Sequence, residues 1–371
     1  MSSQTTGKTP GNSPAVGVTG PAAAPARLHH FRWDLDKTYI RTDFDTRRDL
    51  LRTWLQSADE KRGIPGASTL LRELLRPGED PGESRRVTFI SGSPRQMRRV
   101  LTQKLRLDGI EPDQFILKPN LSNFLLGRWT AMRSQVGYKV EALLKSRLHG
   151  EQVDETLFGD DAEQDALVYC LYADLVAGAV DSAQLEFILT AASTDSREAE
   201  RIRALASQLE PHPNTRVRRI FINLERRSPV SRFDAFGARV CPIYNYFQAS
   251  LVLLADEQMQ PEAVVRVLTD MKNEGYTPLR LANSVRDLVL RAILTPEACT
   301  LAVQRLNQAL AHNTGLPPAF VESTTQALLD VSDTTPFVDT PDATIDYARA
   351  CRDLRKYRRE ALGFPLLQLL E

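Results

Sequence analysis

Cysteine is scarce in this chain: four in 371 residues, at positions 170, 241, 299 and 351, with no C-x-x-C and no histidine close by in sequence. That argues against a disulfide framework or a cysteine zinc site, and it suits a reducing cytoplasm, the expected location. Net charge is lacking as well. Lys plus Arg and Asp plus Glu both total 47, so no overall charge draws the protein to nucleic acid or a membrane. No hydrophobic run approaches the length of a membrane span. Residues 1–27 hold no apolar stretch of the kind a secretory signal needs. They are rich in Gly, Pro, Ser, Thr and Ala, with Lys8 and Arg27 as the only charges, and are expected to be a disordered tail. No repeat recurs at a fixed period.

With 42% hydrophobic and 25% charged residues, the chain can bury the core of one large domain or two medium ones. Its charges are unevenly spread. From Ser84 to Leu107 there are seven basic residues and no acid; from Glu151 to Asp165 there are seven acids and no base. Blocks of this kind are commonly solvated faces, and the basic one is also a surface on which an anionic partner could rest.

Strand-like and helix-like stretches alternate from residue 28 to about 178. "LHHFRW", "RRVTFIS", "DQFILK" and "DETLFG" read as strands, and "RVRRIFINLER" adds another at 216–226. Between them, "TRRDLLRTWLQSADEKRG", a short amphipathic run around Leu70–Leu75, "SPRQMRRVLTQKLRLDGI" and "RSQVGYKVEALLKSRLHG" read as helices. Such alternation predicts a parallel sheet with helices on both faces. Beyond Gln248 almost everything reads as helix. A soft boundary near 255–262 divides a sheet-and-helix core (28–255) from a mainly helical C-terminal region (256–371).

Three predicted strands end in reactive side chains: Asp34 with Asp36, then Ser91, then Asp160 with Asp161. Lys139 begins the helix before the last of them. In an open parallel sheet, ligands bind beyond the carboxyl ends of the strands. The residue types suit phosphoryl transfer through aspartate. A phosphomonoester dianion repels an attacking carboxylate, so positive charge has to be supplied first. Mg2+ held by hard oxygens from Asp34 and Asp160 would supply it. A lysine and a serine would hold the remaining phosphoryl oxygens. Asp36 would assist the leaving oxygen, and a covalent aspartyl-phosphate would divide one hard step into two.

D-x-D-x-T (Asp34, Asp36, Thr38), Ser91 at a strand end, Lys139 on a helix and "GDDAEQD" resemble the four motifs of the haloacid dehalogenase (HAD) superfamily of phosphatases. Within it, "WLQSADEKRGIPGASTLLREL", "FISGSP", "FILKP", "GYKVEALL" and "FGDDAEQDALVY" resemble the phosphatidate phosphatase catalytic-domain branch, whose relatives include lipin-type domains, over roughly residues 28–230. The resemblance implies an α/β fold, a HAD-like Rossmannoid parallel sheet flanked by helices. It implies Asp34 as nucleophile and Asp36 as general acid/base, its backbone carbonyl also on the metal. Ser91 would bind the phosphoryl group, Lys139 would offset the charge of nucleophile and phosphate, and Asp160 would complete the Mg2+ site. Asp165 fits the second acidic position, orienting metal waters. Thr38 and Gly92 join Ser91 and Lys139 as expected substrate contacts. Gly92 stands where Asn is common, Asp161 where Ser is frequent, and the first strand is less apolar than usual.

Each of these residues also has a plainer reading. Asp34 and Asp36 would fit an acidic turn, Ser91 a helix N-cap, and Asp161 and Asp165 an acidic helix start. Lys118 reads as a solvated strand end, and His29 and His30 as edge residues. Arg352, Arg355, Lys356 and Arg359 share one helix face, a solvated face or a docking surface for an anionic headgroup. The combined expectation is a Mg2+-dependent phosphomonoester hydrolase acting on a phosphorylated small molecule or lipid headgroup such as phosphatidate. Peripheral membrane contact would be through the basic stretches, and oligomeric state is not specified. The alternative is a catalytically weak HAD-derived binding module acting through its helical region.

Overall fold

A computed structural model describes residues 27–41, 61–76, 83–118, 136–331 (except 152, 163, 212–215 and 313–314), 334–336 and 345–353. The expected tail, nearly all of the helix expected at 46–63, and Arg355, Lys356 and Arg359 lie outside these residues.

Six parallel strands form one sheet in the order β3-β2-β1-β4-β5-β6. They are β1 (Arg27–Asp34), β2 (Glu83–Pro94), β3 (Gln114–Lys118), β4 (Asp154–Asp160), β5 (Val217–Asn223) and β6 (Val240–Ile243). Chain order runs outward from β1 to β3, then returns to the other side of β1 for β4. The reversal opens a crevice between β1 and β4 at their carboxyl ends. Sequence reading leaves β6 unassigned. It is only four residues long and contains Pro242, which donates no hydrogen bond and is tolerated here at the sheet's edge.

Helices cover both faces. On one side lie α1 (Ala67–Leu75), α2 (Arg98–Leu107, after a 3-10 turn at Arg95–Met97) and the C-terminal helices. These are α7 (Tyr246–Ala255), α8 (Pro261–Asn273), α9 (Pro278–Leu290), α10 (Pro296–Ala311) and α11 (Pro318–Leu329). On the other side lie α3 (Val136–Leu148), α4 (Asp165–Val176), α5 (Ser182–Ala191) and α6 (Ser196–Ala206). Each of α8 to α11 opens on proline, whose missing N–H costs nothing in a first turn, and Thr277 and Thr295 cap α9 and α10.

Strand alternation assigns side chains to these two cores. Phe31, Trp33, Phe89, Phe158 and Phe221 face the first; Ile90, Leu157, Ile220 and Ile222 face the second. On the first face the rings of Trp33, Phe158 and Phe221 stack across three neighbouring strands, with centroids 4.1 and 5.0 Å apart, and Tyr246 of α7 stacks on Trp33 at 5.6 Å. The C-terminal helices share this apolar cluster with the sheet.

The unusual polarity of β1 now has a physical reason. Arg32, fully buried, points at the second face and pairs with Glu155 of β4 at 2.6 Å, while Tyr172 of α4 donates to the other oxygen of Glu155 at 2.6 Å. Arg32 also donates to Ser146 of α3 at 2.8 Å. Burial works against both charges, yet Arg32 and Arg147 hold the Glu155 carboxyl below its ordinary range. Glu155 in turn holds the Arg32 guanidinium above its own.

At the entry to β1, His29 and His30 hydrogen-bond Thr156 and Thr88 at 2.9 and 2.8 Å. Burial is the main cause of their weakened basicity, to about 4 for His29 and about 3 for His30 against a usual 6.5. Both rings are therefore neutral when folded and take up protons near pH 6.5 when unfolded. Their contribution to stability is complete above that pH, erodes as pH falls below it, and is fully lost near 3. Replacing both histidines with glutamine is expected to flatten the fall in unfolding free energy between pH 6.5 and 4. A slope equal to that of the wild type would assign the acid loss to other groups.

Candidate active site

Asp34 is the last residue of β1, and Asp160 the last of β4, so the two flank the crevice at the switch point. Lys139 enters from the first turns of α3 and Asp165 from the first position of α4. The Lys139 ammonium lies 2.8 Å from Asp34 Oδ1 and 2.5 Å from Asp165 Oδ1. The other oxygen of Asp165 accepts the Asp160 backbone N–H at 3.2 Å. All four side chains are buried. A close approach of α4 to β4 makes this contact, and Gly159 permits it. A Cβ there would lie 2.5 Å from Asp165 Oδ2 and 2.8 Å from the Tyr169 ring.

Thr38 and Asp36 sit in the turn that follows β1. Thr38 Oγ1 lies 3.4 Å from Asp34 Oδ2, beside the carboxylate expected to attack. Asp36 turns toward β2, where its Oδ2 accepts from both Ser91 Oγ and Ser93 Oγ at 2.8 Å. Gly92, between the two serines, is half-buried. The turn itself is pinned from two sides. Asn223, at the end of β5, donates to the Lys37 carbonyl at 3.0 Å, and the Tyr246 hydroxyl donates to the Thr38 carbonyl. Lys37 adopts a left-handed backbone with φ 60°. Burial, together with Asp160 and Asp34 nearby, raises the Tyr246 phenol well above its ordinary range, so it stays a donor.

The structure thus brings together Asp34, Lys139, Asp160 and Asp165, and groups Asp36 with Ser91. Asp161 is turned away: its carboxylate accepts the backbone N–H groups of Arg226 and Ser228, both at 2.9 Å, and braces the loop after β5. Ser93, Asn223 and Tyr246 are absent from the sequence reading. Ser93 lies in a register slip of β2 against β3, between Ser91 and Pro94, and strand alternation does not mark it. Asn223 and Tyr246 act through backbone carbonyls of a distant turn, and no local pattern marks them.

The chemistry of the donor set fits a hard cation. Asp34, Asp160 and Asp165 each offer an oxygen, and the three atoms lie within 4.8 Å of one another. Three carboxylates against one ammonium leave an excess of two negative charges among these four side chains, which a divalent ion would neutralise.

Sheet order, helices on both faces and carboxylates at the switch point define an α/β domain consistent with the HAD-like Rossmannoid class. Residues 33–185 match the family model described as phosphatidate phosphatase APP1, catalytic domain. That stretch contains every residue of the cluster just described, and it bears out the resemblance read from the motifs. The match supports phosphatase activity in general terms. No curated protein and no solved structure matches the chain. Among the described residues, no helix is long and apolar enough to cross a membrane.

Gly159→Ala should drive Asp165 off its place beside Lys139. Crowding of this kind costs about 1–3 kcal/mol, which would lower the urea midpoint. A midpoint equal to that of the wild type would show that α4 is not held against β4 through this glycine.

Proposed function

We propose that the protein is a Mg2+-dependent phosphomonoester hydrolase that works through a phosphorylated Asp34. The observation that carries this reading is Lys139 lodged between Asp34 and Asp165, beside Asp160, at the carboxyl edge of a parallel sheet. Asp34, Asp160 and Asp165, with the Asp36 backbone carbonyl, would hold Mg2+. When bound, the ion supplies the positive charge that lets an anionic nucleophile approach an anionic phosphate.

The chain's own groups then have definite tasks. A carboxylate oxygen of Asp34, whose partner is Lys139, bonds to phosphorus while the ester P–O bond breaks. Asp36 gives its proton to the departing alkoxide, which leaves as an alcohol. Asp36, now a carboxylate, takes a proton from water as the water oxygen attacks the same phosphorus. The Asp34–phosphate bond breaks, its electron pair returns to Asp34, and inorganic phosphate departs. Ser91 gives its hydroxyl hydrogen to a phosphoryl oxygen. Lys139 offsets the negative charge shared by Asp34 and the phosphoryl group.

Phosphatidate is the substrate suggested by the name of the matching family model, with small soluble phosphomonoesters as the other class. Exposed Arg95, Arg98 and Arg99 follow directly on the serine segment of β2, which suits an anionic headgroup or vesicle surface. The direct test is phosphate release from phosphatidate in vesicles and from soluble esters, with and without Mg2+. Failure to hydrolyse either class would refute the assignment.

Asp34→Asn is expected to abolish turnover without loss of fold. In kcat/KM, which reads the first chemical step, Asp36→Asn should cost about 100-fold or more with alkyl phosphates and far less with 4-nitrophenyl phosphate, whose leaving group needs no proton. An equal loss on both would count against the acid role. For the metal, Mg2+ should raise the thermal midpoint of the wild type by several degrees, as binding to the folded state alone requires. The same addition should move Asp160→Asn much less; equal shifts would place the ion elsewhere.

A further inference from the structure

Ser93 is buried at the end of β2 and makes two hydrogen bonds that join the groups expected to handle the proton and the phosphate. Its hydroxyl donates to Asp36 Oδ2 at 2.8 Å, and its backbone N–H donates to Ser91 Oγ at 2.9 Å. Ser91 Oγ donates in turn to the same Asp36 oxygen at 2.8 Å. The three residues form a closed ring. Gly92 and Ser93 lie where β2 slips register against β3, between the Ser91–Leu117 and Pro94–Lys118 pairs, and the two hydroxyls converge there on Asp36.

A hydroxyl has one hydrogen to give. Ser91 therefore cannot hold Asp36 and a phosphoryl oxygen at once. When its hydrogen goes to the substrate, the Ser93 N–H still fixes its oxygen, but its bond to Asp36 is lost. Asp36 lies in a turn rather than in the regular part of a strand, and its carboxylate has to stay aimed while the substrate is bound. Ser93 makes a second bond to the same oxygen, and that bond does not draw on the Ser91 hydrogen.

We propose that Ser93 is a positioning residue: it holds the Asp36 carboxyl in place for proton transfer while Ser91 is engaged by the substrate's phosphoryl group. The inference rests on the hydrolase reading above, and it predicts a division of labour between two serines that a shared phosphate-binding role would not produce. Loss of the Ser93 hydroxyl should slow the steps in which Asp36 moves a proton, and kcat/KM reads the first of them, protonation of the leaving group. Loss of the Ser91 hydroxyl should weaken the hold on phosphate itself.

The test compares Ser93→Ala, Ser91→Ala and wild type, each loaded with Mg2+, on an alkyl phosphate and on 4-nitrophenyl phosphate. Inorganic phosphate serves as a competitive inhibitor. For Ser93→Ala, kcat/KM should fall about 10- to 100-fold on the alkyl ester, a fraction of a full general-acid contribution. On the nitrophenyl ester it should fall less than about 3-fold, with the inhibition constant for phosphate unchanged. Ser91→Ala should raise that constant. Equal losses on both esters, rates equal to wild type, or a phosphate constant raised as in Ser91→Ala would each overturn the proposal. A wild type inactive on both esters would overturn the hydrolase reading and this inference together. An active wild type, an inactive Asp34→Asn and an unchanged Ser93→Ala would overturn this inference alone.

Discussion

Lys139 stands 2.8 Å from Asp34 and 2.5 Å from Asp165, in a place where all three side chains are almost wholly removed from water. Two unit charges 4 Å apart interact by about 4 kcal/mol at an effective dielectric of 20, so carboxylates gathered this closely repel strongly. The ammonium offsets part of that repulsion, and it also sets geometry. It ties α3 to the end of β1 and to the start of α4 in a single contact. Asp165 passes the constraint on to β4 by accepting the Asp160 N–H. The two strands that border the crevice are therefore held in register by side chains above the sheet as well as by the ladder within it.

Beneath this layer lies a second one of the same design. Arg32 is two residues before Asp34 on β1, Ser146 is two turns after Lys139 on α3, and Tyr172 is two turns after Asp165 on α4. These meet Glu155 of β4 in the buried network of Arg32, Ser146 and Tyr172. The same strands and helices thus carry two stacked polar layers, one at mid-sheet and one at its carboxyl edge. In the lower layer Glu155 is paired with Arg32 and, at 3.5 Å, with Arg147. In the upper layer three carboxylates, those of Asp34, Asp160 and Asp165, are gathered around one lysine. A buried ion pair is a weak contributor to stability, and its better-attested use is to specify one arrangement. Arg32 and Glu155 suit that use here, since they fix the spacing of β1, β4, α3 and α4 just below the acidic cluster.

Much of this was legible in the chain. Strand and helix alternation predicted the parallel sheet, and the strand ends carrying Asp34, Ser91 and Asp160 all lie at the sheet's carboxyl edge. Lys139 reaches Asp34 and Asp165, whereas Lys145 on the same helix pairs with Glu141. The polar strand "HHFRW" could not be explained from its own letters, because the partner that neutralises Arg32 lies more than a hundred residues away. Pro242 concealed β6, since an edge strand differs from an interior one only in what lies beyond it. Asp161, beside Asp160 but given no site role by the motifs, turns its carboxylate to the backbone of the next loop, since successive residues at a strand end diverge.

The two faces of the sheet divide the work. One face carries an apolar core together with the buried Arg32–Glu155 pair, whose hydrogen bonds offset the cost of burying charge. The opposite face is stacked aromatic from Trp33 through Phe158 to Phe221, where each ring buries a large apolar area and fixes its neighbour's position. Tyr246 links the two functions. Its ring belongs to the aromatic stack, while its hydroxyl reaches the Thr38 carbonyl in the turn that carries Asp36. Through this contact the C-terminal helices brace a turn more than two hundred residues earlier in the chain. They need not touch a substrate to matter for its chemistry, because displacing α7 would release the turn on which Asp36 depends.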